Sequence, residues 1–573
     1  MNITNLRPFR NTLAVAMLAL AGLSACATER PGHPDLHPAA KDDTSPARLF
    51  DGMGPHRRPV TTVSRDAQRY FDQGLTWAYA FNHDEAIRSF TEAARLDPSC
   101  AMAWWGIALA HGPHINNPAM SPEASAAAWD AIQRAMALRG HASPVERALI
   151  EALATRYAEP APDDRAPLDR AYADAMRAVW HAHRADGDVG TLFAEAMMDL
   201  RPWDLWTQAG DPNEGTPEIV ATLEAVLALD PDNPGANHLY IHAMEASRSP
   251  ERALHAADRL RTLVPASGHL VHMPSHIDAR LGQWTKASEA NEAAIRADAD
   301  YRRLVPRQGF YRVYMAHNHH FLAWASMMEG RRQAALDAAR EMVRSIPDES
   351  LDAAAPMFDP VMAIVYDVQK RFGMWDELLA EPGPDPRLPI TGAMWRFSRG
   401  LAHAAAGDPA KARHEQRLFR EAVERIPGDA FMYNNTPAAV MGIAQAMLEG
   451  EIAYAEGDPE RAIQHLTHAV ALEDQLRYME PAEWIQPVRH ALASVLIAQR
   501  RLADAEAVLR EDLRRNPGNG WSLIGLVKCL EADPARASEA ADARARLDRA
   551  WARADIRPSM PCLCVPDPVK APG

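Results

Sequence analysis

The sequence predicts an all-α fold, a solenoid of stacked helix-turn-helix units, on three observations. Apolar residues recur at helical spacing along most of the chain. No run alternates with period two for long enough to form a sheet. Two segments, His238-Leu-Tyr-Ile-His242 and His272-Met-Pro-Ser-His276, carry one His-x-x-x-His pattern, and both members are displaced by 34 residues (272 − 238 and 276 − 242). That is the length of one helix-turn-helix repeat, so the two pairs fall at equivalent places on neighbouring helices.

The elements follow in order. Arg7 and Arg10 precede an apolar stretch from Leu13 to Ala21, too short to span a bilayer, and Leu23-Ser24-Ala25-Cys26 resembles the lipobox of bacterial lipoproteins. The resemblance implies a signal peptide over 1–25 and a lipid on Cys26, which would anchor the chain to a membrane of the bacterial cell envelope, the outer membrane facing the periplasm. Residues 26–65 are rich in Pro, Asp, His and Ser with no apolar period and read as a flexible tether. The solenoid is expected over 66–552, its histidine-rich repeats at about 235–348, and residues 553–573 form a C-terminal tail. In the tail, Cys562 and Cys564 stand too close for an ordinary disulfide with each other, so bonding to Cys529 or another distant thiol is expected. The composition, 47% hydrophobic and 24% charged over 573 residues, is that of a folded protein. A formal net charge of −15, with no extended Lys/Arg block, excludes a general nucleic-acid binder.

Between Ala67 and Pro98 the residues Tyr70, Gly74, Trp77, Ala86, Phe90, Ala93 and Pro98 follow a spaced large-small-aromatic pattern, with Gln73 where leucine is usual. In this the body resembles the tetratricopeptide repeat family. Small Gly74 and Ala86 let paired helices approach, aromatics fill the gaps, and proline ends the second helix. Further matches occur at Gly400/Ala412, Gly450/Ala462, Leu492/Ala505 and Trp521/Ala537, while 112–190, 201–217 and 350–392 fit poorly. The resemblance implies a right-handed superhelix whose concave face is lined by the second, fifth, ninth and twelfth repeat positions. Aligned on Ala253, Ala287 and Ala335, those positions hold His238, His242, Glu245, His269, His272, His276, His317, His320 and Trp324. The segments Asn237-His238-Leu-Tyr-Ile-His242-Ala-Met-Glu245, Gly268-His269-Leu-Val-His272-Met-Pro-Ser-His276 and His317-Asn318-His319-His320-Phe321 also resemble a bacterial subgroup of that family, one with no firmly assigned activity.

Residues four apart stack on one helix face, and packed helices lie ~8–10 Å apart, so imidazoles from adjacent helices can share an ion. The seven histidines are therefore the expected ligands of a transition metal, copper, iron or zinc, with Glu245 as ligand, orienter or catalytic base. His319 points to another face, and His83, His255, His403, His465, His468 and His490 are scattered, solvated or structural. The spacing from Ala287 to Ala335 exceeds the repeat by 14 residues (48 − 34), which places an insertion around Tyr301 to Met315. Its aromatics and arginines either close over an organic substrate or plug the solenoid. On the first reading Tyr311, Arg312 and Tyr314, with Trp324, bind substrate. Two loop-like segments, His111-Gly-Pro-His114-Ile-Asn116 and Trp203-Asp204-Leu-Trp206, can approach the same groove.

Two functions from different classes fit these residues. One is a cell-envelope metalloenzyme, hydrolytic or oxidative, acting on a small organic molecule, with one ion or two. The other is a non-catalytic scaffold whose groove binds a peptide or protein. No phosphate-binding glycine loop, nucleophile elbow or Cys/His finger array is present, which disfavours nucleotide hydrolysis, serine hydrolysis and DNA reading.

Overall fold

A computed structural model describes residues 47–346 and 348–565. The expected signal peptide and Cys26 lie outside the described residues. Within them the fold is all-α, and successive helices pack as antiparallel pairs: Arg65–Tyr79 on His83–Leu96, Tyr311–Met328 on Arg332–Ser345, Pro437–Ala455 on Pro459–Glu473, and Val488–Ala498 on Leu502–Arg515. Among the described residues no helix is long and apolar enough to cross a membrane.

The central register is set by local chemistry. Asn233 accepts the Ala236 N–H and Ser267 accepts the Leu270 N–H, so two caps 34 residues apart start the two histidine-bearing helices (267 − 233). The first of these helices is Pro234–Glu245. The second is interrupted into Gly268–His272 and Pro274–Arg280, because Pro274 has no N–H to give to the carbonyl one turn back. Met273 keeps right-handed helical angles, so His272 and His276 stay on one side. At Gly268 a Cβ would collide with the Asp298 carboxylate, which is how the helix Trp284–Leu304 lies so close behind.

The array also contacts itself out of sequence order. Trp284 Nε1–H donates to the Pro517 carbonyl (2.9 Å), Trp521 Nε1–H to Met327 (2.7 Å) and Trp551 Nε1–H to Met328 (3.0 Å). Arg477 pairs with Asp204 at 2.6 Å. One hydrophobic cluster accordingly unites Trp284, Phe321 and Met342 with Trp521, Leu530 and Trp551.

Two expectations change and one open alternative is decided. The tether expected to reach residue 65 is packed from Ala47 onward: Phe50 stacks edge-on against Trp77, Arg58 bonds Asp186 at 2.7 Å, and the Thr61 hydroxyl donates to Glu146 at 2.6 Å. A polar, proline-rich segment docks when partners wait for its few aromatics and cations. The insertion is an extended helix, Trp284–Leu304, followed by a short turn, and Tyr301, Phe310, Tyr311 and Tyr314 are all buried. Tyr301 donates to Glu85 at 2.9 Å, so the segment plugs the space against the first repeat instead of lying open. In the tail Cys562 pairs with Cys564, not with Cys529: a bend brings their Cα atoms to 5.3 Å, within disulfide reach, and Cys100 and Cys529 stay buried as thiols.

Asp512 ties the last repeats together. Its carboxylate accepts from His490 (2.9 Å), Ser522 (2.6 Å) and Asn519 (3.0 Å). Burial opposes its ionisation, but His490 and these donors hold it down at about 2. A depressed carboxylate stabilises the fold above its unfolded pKa of about 4 and loses that contribution as pH falls toward 2, worth ~2 kcal/mol at neutral pH. Urea unfolding of Asp512→Asn at a series of pH values is expected to show that loss at pH 7 and a flatter profile between pH 4 and 2. Parallel profiles for the two proteins would assign the acid sensitivity elsewhere.

Candidate metal centre

Four helices and three connecting segments deliver the site. His238 and His242 come from Pro234–Glu245, His269, His272 and His276 from the two halves of the next first-position helix, and His317 from Tyr311–Met328. They form two adjoining triads. Ligand nitrogens of His238, His242 and His269 lie within 4.8 Å of one another, as do those of His272, His276 and His317. The triads touch: the His269 and His272 ring centroids are 6.0 Å apart, and those of His242 and His276 are 5.9 Å apart.

Tracing the protons shows what these nitrogens are left to do. His238 Nδ1 lies 2.7 Å from the Tyr79 carbonyl, which can only accept, so the proton is on Nδ1 and the Nε2 lone pair is bare. It faces His269 Nε2 at 3.1 Å. His272 Nδ1 meets Asn291 Oδ1 at 2.7 Å, and the amide is oriented by its own donation to the Ala287 carbonyl at 2.8 Å. His276 Nδ1 sits 2.7 Å from Glu245 Oε2 and 3.2 Å from Glu480 Oε2. The Nε2 atoms of His272 and His276 therefore point at each other across 2.9 Å with no proton of their own when both rings are neutral. A proton or a metal ion between them relieves that opposition. In the first triad His242 Nδ1 is held at 2.8 Å by Glu245 Oε1, and its Nε2 is buried without a hydrogen-bond partner.

A proton joins two nitrogens, whereas a metal ion collects three, and both triads offer three. Nitrogens on one tetrahedral ion at bond lengths of ~2.0–2.1 Å are ~3.4 Å apart, close to the 2.9 and 3.1 Å seen here. The outer partners, a backbone carbonyl, an amide oxygen and a carboxylate, are those that fix the tautomer of metal-bound imidazole. The buried histidine and glutamate clusters can hold a metal.

Electrostatics agree. Burial, with neighbouring imidazoles, keeps His238, His269, His272 and His317 far below the ordinary histidine range, hence neutral and able to ligate. Burial would also lower His276, but Glu245 and Glu480 outweigh it and raise it to about 10, which makes it the ring that takes the proton when no metal is bound. Glu245 is held ionised at about 2 against burial by His276 and His242. Burial pushes the Glu480 carboxyl up.

The other expected residues take distinct places. His320 joins neither triad; it is 8% exposed and lines a separate apolar cavity beside His317. Tyr311 accepts the His269 backbone N–H at 3.0 Å, and Tyr314 packs on the His269 ring at 4.3 Å. Arg312 bonds Gln308 at 3.1 Å and is not among the cavity walls. Trp324 lines a large cavity of about 1030 Å³ with mixed polar and apolar walls, together with Trp203, His242, Glu245, Arg280 and Glu480. The two loop-like segments do arrive: Trp203 stands 5.4 Å from the His242 ring and donates to Asn116 at 2.9 Å, and His114 stacks on Phe81 at 4.4 Å.

Sequence reasoning missed Phe81, Asn291 and Glu480. Phe81 packs on His238 (4.5 Å), His269 (5.8 Å) and His242 (6.2 Å) and has a left-handed φ of 55°. Trp203 at 57° and Tyr433 at 44° share that conformation, and Tyr433 lines the cavity beside His317. Three of the four non-glycine residues with left-handed φ among the described residues thus lie beside the histidines, each at ~1–2 kcal/mol of strain, Arg500 being the fourth. Asn291 carried a readable signal, a polar residue on the inner face of its helix. Glu480 carried none.

No protein-family model matches the chain, and no curated protein matches it. Solved structures align over most of its length. The human IFIT1 dimer with PPP-AAAA is 13% identical, with 85% of this chain and 92% of that chain covered and a TM-score of 0.31. The APC/C hetero-tetramer Cut9-Hcn1 is 13% identical, with 87% and 78% covered and a TM-score of 0.28. The chain is an all-helical repeat protein. At these scores the alignments carry no argument about its site, which rests on the geometry above.

Asn291→Leu removes the acceptor that holds the His272 proton on Nδ1. Competition against a chromophoric chelator is expected to show a ~10–100-fold weaker metal affinity at unchanged stoichiometry; an unchanged affinity would mean that His272 is not a ligand.

Proposed function

We propose that this chain is a lipid-anchored protein of the bacterial cell envelope that holds two transition-metal ions in its histidine triads and uses them on a small organic substrate. One observation carries the reading: His238, His242, His272 and His276 each have Nδ1 engaged away from the cluster, which leaves their Nε2 atoms turned toward the other imidazoles of the two triads. His238, His242 and His269 would hold one ion, and His272, His276 and His317 the other. An imidazole set of this kind suits copper, iron or zinc. When bound, such ions would supply Lewis acidity for hydrolysis or, with copper or iron, a redox centre that takes electrons from the substrate and passes them to dioxygen.

The chain's own groups do the rest. Glu245 spans the triads with one oxygen on each of His242 and His276, so its role here is to orient both rings. Glu480, on the wall of the large cavity, is the carboxyl available to take or give a proton at that opening. Phe81 and Trp203 cover the first triad and exclude water from it. The depth of the site favours the enzyme over a scaffold: five of the six triad imidazoles are at 0–7% exposure, too deep to grip a peptide lying in a groove, and His317 alone is half-buried.

Elemental analysis of protein isolated without an affinity tag is expected to find up to two ions per chain. His242→Ala with His276→Ala should abolish them while far-UV circular dichroism stays helical. A metal-free native protein, or full metal retention in the double variant, would leave only the scaffold reading. Envelope anchoring is tested separately: labelled fatty acid should enter the wild type and not Cys26→Ser, and equal labelling of both would overturn it.

A further inference from the structure

The seventh histidine of the central repeats has no place in either triad, and its surroundings are of another kind. His320 is 8% exposed, and burial drives its imidazole down to about 4, so it is neutral. It makes no hydrogen bond to any described residue. It opens instead on a cavity of about 170 Å³ walled by Phe310, Tyr314, Phe358, Phe431 and Ile485, with His317 beside it. A neutral imidazole carries one donor and one acceptor, and either can meet a ligand in that cavity. An apolar cavity of ~150 Å³ is enough to hold one benzene ring.

The geometry points to this cavity as the site for a monocyclic aromatic ligand bearing a hydroxyl group, its ring among the aromatic walls and its hydroxyl on His320. The ligand would be the substrate of the metal centre, so this assignment deepens the metalloenzyme reading and rests on it for that last step. Three features select such a ligand. The volume is of the size that holds a single ring. Most of the wall is aromatic and apolar, with Asn116, Asp367, Asn434 and Glu483 as its other polar members, which favours a flat hydrocarbon body bearing a polar group. His320 is the polar contact next to the metal centre, and His317, a member of the second triad, forms the adjoining wall, so a hydroxyl held by His320 lies on the side of the reacting centre. His320 is on this account a substrate-binding residue and not a metal ligand, which also explains why it stands one helical turn from His317 yet outside the cluster.

Calorimetric titration of the full chain with phenol and with toluene tests this. The wild type should bind both at one site, phenol more tightly. His320→Phe should weaken phenol ~10-fold, the scale of one lost hydrogen bond, and leave toluene unchanged. Val361→Phe, which fills the cavity from its half-buried wall, should abolish both. Absence of binding in the wild type, or undiminished phenol binding by His320→Phe, overturns the assignment. Metal content measured on the same preparations separates the two readings. A metal-free chain that binds phenol overturns the metalloenzyme and leaves the ring site standing, whereas a metal-loaded chain that binds neither probe does the reverse.

Discussion

The Glu245 carboxylate is the constraint on which the centre depends. Its two oxygens reach the Nδ1 atoms of His242 and His276 at 2.8 and 2.7 Å, and these rings belong to different repeats and to different triads. Its hydrogen bond to His242 and its charge contact with His276 turn both Nε2 atoms inward. It also supplies the negative charge without which a cation could not sit in so dry an interior. Without that carboxylate the two His-x-x-x-His pairs would be neighbours with no common electrostatic purpose.

Burying six imidazoles around one carboxylate is costly unless the scaffold refuses to relax. Several features supply that rigidity. Repeat helices capped at Asn233 and Ser267 start in register, and close contact at Gly268 sets the depth of the second helix. Tryptophan N–H bonds from positions 284, 521 and 551 fasten the C-terminal repeats to the central ones. The strained backbones of Phe81 and Trp203 persist because this packing over-determines them.

Legibility followed the range of the interactions. The all-α fold and the convergence of histidines could be read because both repeat along the chain, and a 34-residue period is carried by local chemistry that each unit restates. His320 deceived because position on a helix face is coarse: a turn away from His317, it faces a cavity made by Phe358, Phe431 and Ile485, which no repeat pattern describes. Glu480 was invisible because it comes from an irregular segment more than 200 residues downstream and reaches His276 through non-local packing. The insertion was located correctly by counting, but whether its aromatics would face solvent or the first repeat depended on Glu85 and Trp77. Cys562 and Cys564 show the same limit, since separation in sequence says little about a backbone free to bend.

By itself the sequence determined a helical repeat array and the register that brings His238, His242, His272 and His276 to equivalent positions, because periodic residues build periodic helices wherever the chain goes. Only the tertiary structure decided that these imidazoles divide into two triads with Glu245 between them, that Glu480 and Phe81 complete the surroundings, and that His320 belongs to a separate apolar chamber. Those outcomes turn on ångström-scale distances between segments with no shared period, and such distances exist only once the whole array has packed.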